Sequence, residues 1–281
     1  MLRHGDPEDL SILVDYLTDK GEGRIMLDGD VCKRLVACQQ SNRYEAVDLN
    51  LMALEIRRFG GNTVSNLVRD ARNAVGFGLL DRLLPDMESS VDYGEIVRDV
   101  ASHLKVPTNK NSSVPTIEDG ILRKILTDSY EQMSTEEKKV LLNELGIHDM
   151  SLLQPAAMAA MIAAGKLGGF ATFKLATIVA NAVAKVILGK GLPFVAVGSL
   201  MRSISVLIGP VGMVLTGLWT IADMASPAYR VTVPCVVHLA YMRQKALHKA
   251  TNSACGACGA DNPMDAKFCS ECGKPMNDQA A

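Results

Sequence analysis

The feature that most constrains this chain is the stretch Met150–Ala250, in which apolar runs are interrupted almost only by cations. Nine Lys or Arg residues stand in it against a single acid, Asp223. Ala, Val, Ile, Leu, Met and Gly fill the sequence between these charges. Such a stretch must be covered by the rest of the chain, by a membrane or by a partner protein, because soluble monomers rarely expose large apolar patches.

The residues that precede this stretch have the opposite charge. Residues 1–149 carry 18 bases and 26 acids, a net charge of −8, whereas Met150–Ala250 has +8 and residues 251–281 have −2. A blockwise split of this kind predicts either that the two large parts dock on each other or that the basic part faces something anionic. The sequence leaves both alternatives open.

The composition favours helices over a β-sandwich. Aromatic residues make up only 5% of the chain, and Ala, Val, Leu and Met supply most of its apolar mass. Asp6 and Pro7 are typical of a helix start, and a Ser-x-x-Glu capping box begins another helix at Ser134. A helix over residues 43–59 is predicted to end at Gly60-Gly61. Residues 230–237 have strand propensity, although Pro234 is also compatible with a helix start.

These patterns predict a mainly α fold: a helical bundle with a glycine- and alanine-rich hydrophobic helical hairpin and a small C-terminal zinc ribbon. The clearest linker is the polar, proline-containing segment 105–116. It separates an acidic N-terminal helical region, 1–104, from a helical region, 117–250, that includes the basic hydrophobic stretch. The last part, 251–281, is a cysteine module.

Segment length bears on whether the hydrophobic stretch enters a membrane. Ser203–Ala222 holds 20 uncharged residues, enough to cross a bilayer, but Gly209-Pro210 interrupts it. One interpretation makes the stretch the core of a soluble bundle wrapped by the acidic helices. Another makes it a hairpin that touches or enters an anionic membrane, and a third places it in the groove of a partner protein. The residues predicted to contact the membrane or partner are Lys166, Lys174, Lys185, Arg202, Trp219, Tyr229 and Arg230.

The C-terminal module has the spacing of a metal site. Two Cys-x-x-Cys pairs are separated by ten residues, and a glycine follows each pair. Four thiolates at this spacing predict one tetrahedral Zn²⁺ ion, and the absence of an open coordination position makes its role structural. The predicted ligands are Cys255, Cys258, Cys269 and Cys272. Over about Ala254–Met276 the module resembles the small zinc ribbons at the termini of many bacterial proteins. Two lysines against four acids argue against nucleic-acid binding.

Two further segments resemble a known family. Phe59–Asn66 (FGGNTVSN) and Ala225–Pro234 (ASPAYRVTVP) are similar to signature segments of the YaaW family of bacterial proteins, which is related to the ubiquinol–cytochrome c assembly chaperones. The turn Gly209-Pro210-Val211-Gly212 is similar too, and the resemblance covers roughly residues 5–246. It implies a bacterial, mostly helical protein with no established activity, and the chaperone kinship suggests binding to a partner polypeptide or a membrane complex. The zinc ribbon departs from shorter family members.

The motifs of common enzymes are absent from the sequence. It contains no nucleophile elbow, HExxH motif or nucleotide-binding loop, and its five histidines form no ligand spacing. We therefore expect a non-enzymatic protein that binds or acts at the inner membrane through the basic hydrophobic region. The alternative is a chaperone or assembly factor that binds a client protein through the same apolar surface. An oligomer is compatible with either hypothesis.

The expected location is the cytoplasm, with the protein peripheral to or inserted in the inner membrane. Met1–Asp9 is polar and charged, unlike the start of a signal peptide, and the cysteines are accordingly expected to be reduced.

Overall fold

A computed structural model of the chain describes residues 1–24, 27–75, 91–163, 169–192, 207, 209–217 and 228–276, with the backbone only for residues 62–75, 163 and 170. The described part is mainly helical, as predicted. Its helices are α1 (Pro7–Thr18), α2 (Gly29–Ser41), α3 (Ala46–Val75), α4 (Tyr93–His103), α5 (Val114–Gln132), α6 (Thr135–Glu144), α7 (Pro155–Ala163), α8 (Gly169–Leu188) and α9 (Tyr229–Thr251). Residues 209–217 are also helical, and short 3-10 helices span Leu2–His4 and Met150–Leu153. The antiparallel strands β1 (Asn252–Ala254) and β2 (Asp261–Pro263) belong to the cysteine module.

Local signals explain several helix starts. Ser134 and Glu137 form the predicted capping box, each side chain bonded to the other residue's backbone N–H. Helix α1 begins at Pro7 as predicted, with Asp6 at the cap position. The Asp6 carboxylate makes no cap hydrogen bond, however, because it is bound to two lysines of α9. Asp6, which the local sequence predicts to be a helix cap, thus makes a tertiary contact instead.

The predicted helix end at Gly60-Gly61 is wrong. Helix α3 runs through both glycines without interruption. A Cβ atom on Gly60 would lie 2.4 Å from Cγ1 of Ile96 in α4, so the missing side chain lets two helices approach closely. Gly60 therefore allows close packing between helices and does not form a turn. The local sequence cannot distinguish these two roles of glycine.

Helix α9 lies at the centre of the fold, which settles the ambiguous segment 230–237 as helix. Every residue from Val231 to Met242 is buried, so this part of α9 is covered on all sides. It packs most extensively on α8 and also contacts α1, α3, α4 and α5. Pro234 lies in the second turn of the helix.

One hydrophobic core draws on helices from both sides of the predicted linker. Buried residues of α1 and α4 join those of α5, α8 and α9 in a single cluster. The segment 105–116 connects α4 to α5, which pack on each other, and its last three residues belong to α5. The predicted domain boundaries stay a prediction.

Among the described residues, one helix has the length and composition to cross a membrane. It is the Ala171–Leu188 part of α8, with a mean hydropathy of 1.6, and 78% of that window is buried inside the protein. A buried core helix of a soluble protein has the same properties, so this is weak evidence for a span. Half of the longer segment named from the sequence, Ser203–Ala222, lies outside the described residues.

Candidate functional site

Five cations of the basic stretch contact the acidic N-terminal half, and we call this set of contacts the acid–base interface. The cations are Lys174 and Lys190 in and after α8, and Arg243, Lys245 and Lys249 in α9. Their partners are Asp6, Asp9, Asp15, Glu118 and the backbone carbonyl of Glu144. In this structure the oppositely charged parts therefore dock on each other.

The first contact joins α9 to the start of α1. Lys245 Nζ lies 2.8 Å from Asp6 Oδ2 and 2.9 Å from Asp9 Oδ2, and Lys249 Nζ lies 2.8 Å from the same Asp6 oxygen. The hydrogen bonds from Lys245 and Lys249 lower the pKa of Asp6 below its ordinary value. Asp9 is almost fully buried, so its charge depends on Lys245 for compensation.

The second contact is a buried network between α9, α5 and α4. Arg243 Nε donates to Glu118 Oε2 at 2.5 Å, and the Tyr93 hydroxyl donates to Glu118 Oε1 at 2.7 Å. Glu118 is 1% exposed, and a carboxylate buried so deeply requires both donors. Burial and the neighbouring Glu118 charge raise the pKa of Tyr93 well above its ordinary value, so its proton stays available for this bond.

Helix α8 is held at both ends. Lys174 Nζ donates to the carbonyl of Glu144 at 2.6 Å, and Lys190, just beyond the helix, lies 2.6 Å from Asp15 Oδ2. Asp15 also accepts a hydrogen bond from Gln39 at 2.8 Å. These contacts fix α8, the described helix that is long and apolar enough to cross a membrane, against α1 and the end of α6.

The second candidate site is the cysteine cluster after α9. The four predicted ligand sulfurs all lie within 4.8 Å of one another. Cys255 Sγ and Cys272 Sγ are 3.7 Å apart, and Cys258 Sγ and Cys269 Sγ are 3.6 Å apart. Zn–S bonds of about 2.3 Å place the sulfurs of a regular tetrahedron about 3.8 Å apart, so the cluster fits a zinc ion. Disulfides are excluded, since their sulfurs lie about 2.05 Å apart.

Two matching turns hold the sulfurs in place. Gly259 has φ of +74° and Gly273 has φ of +70°, the left-handed conformation that glycine adopts without strain. The N–H of each glycine bonds back to the carbonyl of the first cysteine in its pair, Cys255 or Cys269. Backbone N–H groups, chiefly that of Cys272, lower the pKa of Cys269 to about 6, which favours the thiolate that a metal binds.

The comparisons with known proteins fall on both parts of the chain. Residues 41–237 match the family model of the ubiquinol-cytochrome C chaperone, and residues 255–276 match a zinc-ribbon domain. A UPF0174 protein of Helicobacter pylori strain J99 is 40% identical over 195 residues, which cover 69% of this chain and 70% of the relative. The chain belongs to the UPF0174 family.

Other UPF0174 relatives extend the match. A second Helicobacter pylori protein, from strain ATCC 700392, is 36% identical over 69% of this chain and 87% of its own length. The UPF0174 protein YaaW of Escherichia coli K12 is 26% identical over 86% of this chain and 92% of its own length. No solved structure matches the chain. The resemblance to the YaaW family and to the zinc ribbons, predicted from short segments, is confirmed.

The structure places the predicted contact residues of this UPF0174 protein in different surroundings. Lys174 belongs to the acid–base interface, while Lys185 and Arg230 are exposed. Tyr229 is buried: its hydroxyl donates to Asp99 Oδ1 at 3.2 Å, and its ring stacks on His103 at 4.0 Å. The other three, Lys166, Arg202 and Trp219, lie outside the described residues. Their contact with a membrane or partner stays a prediction.

Sequence reasoning missed a buried residue beside the metal ligands. Asn262 in β2 is 1% exposed; its amide nitrogen lies 3.5 Å from Cys269 Sγ, and its carbonyl oxygen accepts from Ser270 N–H at 2.8 Å. It therefore ties the strand to the second cysteine pair and points a donor at a ligand sulfur. The only local signal was its position before Pro263, which is typical of a turn.

The ribbon is joined to the helical core through His248 near the end of α9. The His248 ring stacks on Phe173 of α8, with centroids 4.4 Å apart and planes 7° from parallel. Its Nε2 atom lies 3.3 Å from Asp261 Oδ2 in β2. One side chain thus contacts α8, α9 and the ribbon.

Proposed function

We propose that this protein has no enzymatic activity and acts at the inner membrane through its basic hydrophobic region, which the acidic helices cover in the described state. The cytoplasm and the cytoplasmic face of that membrane are the proposed location. The observation that supports the proposal is the acid–base interface, because its cations are the groups that an anionic lipid surface would bind.

The lysines of the acid–base interface could exchange their carboxylate partners for lipid phosphates, and this supports the proposed function. Lys245 and Lys249 are held by carboxylates, and lipid phosphates offer the same negative oxygens in larger number. If these carboxylates are replaced, the basic side of α9 and the end of α8 lose their cover. The apolar helix α8 then becomes available to a membrane, with Lys185 near one end to reach the headgroups.

The zinc ribbon has a structural role in this proposal. One Zn²⁺ ion bound by the four cysteines leaves no position for a substrate, so its contribution is to fold residues 254–276. The folded ribbon then holds Asp261 beside His248 at the end of α9. Its proposed function is to anchor the last turn of the central helix.

Vesicle flotation tests the membrane function. The variant Asp6→Asn/Asp9→Asn removes two carboxylates of the acid–base interface, and we expect a larger fraction of it to float with anionic vesicles than of the wild type. The matched control is Asp30→Asn/Glu136→Gln, which changes the net charge equally at two exposed ion pairs outside the interface. Vesicles of neutral lipid should float neither variant.

The result that overturns the proposal is equally clear. If wild type and interface variant both stay at the bottom of the gradient with anionic vesicles, the protein does not act on membranes. Equal flotation of the interface variant and its control would show that net charge alone, not release of the helices, governs binding.

A second function is favoured by the family match. Because residues 41–237 match a chaperone family model, the same apolar surface is a candidate for binding a client polypeptide. Crosslinking in bacterial cells, followed by isolation without lipid, distinguishes the two: a defined client held by the interface variant in the absence of membranes supports the chaperone function.

A further inference from the structure

A groove on the helical bundle, away from the cysteine cluster, has the form of a small-molecule site. It has a cavity volume of about 380 Å³ and lies among the 3-10 helix Leu2–His4 and helices α3, α4 and α9. Ligand pockets in proteins typically enclose about 300–1,000 Å³. Ile56 and Leu239 form a buried apolar base, and Leu49 and Ala53 continue it up one wall.

The rim of this groove is cationic. Arg3, Arg57 and Arg243 line it, and none of the described lining residues is acidic. Two of these arginines, Arg3 and Arg57, come from residues 1–149, where acids outnumber bases 26 to 18, and Arg243 comes from the basic stretch. A cationic rim above an apolar base is complementary to a molecule with one negative end and an apolar body.

Two of the arginines are held in place before any ligand arrives. Arg57 Nε donates to the carbonyl of Val91 at 3.0 Å, and Arg243 Nε is bound to Glu118. Glu118 in turn accepts from Tyr93, which also lines the groove. Groups fixed in this way lose little conformational entropy on binding an anion.

We propose that this groove binds a free medium-chain fatty carboxylate, with its acyl chain on the Ile56–Leu239 base and its carboxylate at the arginine rim. A guanidinium group suits a carboxylate because it presents parallel N–H donors to both oxygens. The proposal goes beyond the membrane function, since it concerns a monomeric ligand, and the groove shares Arg243 with the acid–base interface.

Isothermal titration calorimetry with sodium decanoate, below its micelle concentration, tests the proposal on the full chain. We expect saturable binding of one decanoate per chain and no binding of decyltrimethylammonium, which has the same tail and the opposite charge. Ala53→Trp fills the groove and should abolish binding. Asn50→Trp, an exposed position at the mouth, is a second blocking variant that disturbs no buried contact.

The charge requirement is tested separately. Arg3→Gln and Arg57→Gln should each weaken decanoate binding about fivefold or more, because each loses a charged donor. Arg43→Gln, an exposed arginine outside the groove, is the matched control and should bind as the wild type. Equal binding of the cationic amphiphile, unchanged binding by both blocking variants, or no decanoate binding by a folded wild type would overturn the proposal. Capture of an acidic peptide in place of decanoate would overturn it as well.

Discussion

At the scale of single residues, His238 shows how a side chain of α9 is adapted to the core. Its Nε2 atom lies 2.9 Å from the carbonyl oxygen of Asp9, and its ring contacts those of Tyr16 and Tyr241. The side chain is 1% exposed. Burial lowers the pKa of His238 from its ordinary 6.5 to about 4, despite the opposing effect of Asp9.

This residue predicts a loss of stability in mild acid. Because the pKa of His238 is lower in the folded than in the unfolded chain, the unfolded chain binds more protons between pH 6.5 and about 4. Stability that is present above pH 6.5 is therefore lost as the pH falls through this window, by about 2 kcal/mol between pH 7 and pH 5. Urea unfolding at the two pH values measures it.

The matched variant is His238→Gln, whose amide keeps a donor for the Asp9 carbonyl but does not titrate. We expect its free energy of unfolding to vary less with pH than that of the wild type. Burial also lowers the pKa of His103, so a pH dependence equal to that of the wild type would assign the effect to groups other than His238, such as His103.

Single residues also show what the sequence could predict at a site. The four cysteines lie within 18 positions of one another, and their spacing alone implies a common ion. Asn262 was missed because its role depends on how β2 folds over the second cysteine pair. The partners Asp99 and His103 of Tyr229 were missed because they lie more than a hundred residues before it.

At the scale of elements, the close approach of α3 and α4 depends on Gly60. The substitution Gly60→Ala should destabilise the protein by about 1–2 kcal/mol, since overpacking against Ile96 exceeds the gain in helix propensity. Gly169→Ala in α8 is the control, because among the described residues nothing beyond its own chain neighbours and helix backbone lies within 4 Å of the added Cβ. Chemical denaturation of both variants measures the difference.

A second substitution that shortens Ile96 tests whether overpacking between α3 and α4 causes the loss of stability. Combining Gly60→Ala with Ile96→Ala should cost less than the sum of the two single changes, because the added methyl group occupies the volume that Ile96 leaves. Strict additivity would mean that the two residues do not compete for the same space.

The spacing of apolar residues predicted helices well wherever one face of the helix is polar. It was ambiguous for α9, since Val231–Met242 is buried on all sides and therefore has no polar face to show a period. The valines in this segment then suggested a strand, although tertiary packing overrides such propensity. The central helix of the fold was for this reason the hardest to predict.

At the scale of the whole molecule, the ribbon and the bundle are predicted to respond differently to metal removal. Chelation should unfold residues 254–276, because a structural zinc site supplies the folding free energy of so small a module. The helical far-UV signal should persist, since the hydrophobic core includes no residue of the ribbon. Hydrogen exchange, resolved by segment, measures both.

The bundle and the ribbon are not fully independent, because His248 in α9 contacts Asp261 in the ribbon. We expect faster exchange in the last turns of α9 after chelation, where Asp261 no longer lies beside His248. A Cys255→Ser/Cys272→Ser variant should show the same pattern without chelator and no further change with it. Loss of the helical signal throughout the protein would contradict the prediction.

The charge asymmetry of the sequence predicted docking as one of two outcomes, but not the pairs. Asp9 and Lys245 are separated by 236 positions, and Glu118 and Arg243 by 125. Pairing at such distances depends on the arrangement of α1, α5 and α9, which composition and local patterns do not determine. The sequence therefore predicted the opposite charges of the two halves, but it did not predict which acidic residue pairs with which basic residue.

The separation along the sequence between α8 and its main packing partner, α9, has a consequence for synthesis. A ribosome adds about 5–20 residues per second, so roughly 3–13 s separate the addition of Leu188, at the end of α8, from that of Thr251, at the end of α9. During that interval α8 is complete but lacks its main packing partner. The apolar helices are therefore most accessible while the chain is being translated, and a ribosome-associated factor or a nearby membrane would meet them before the protein has finished folding.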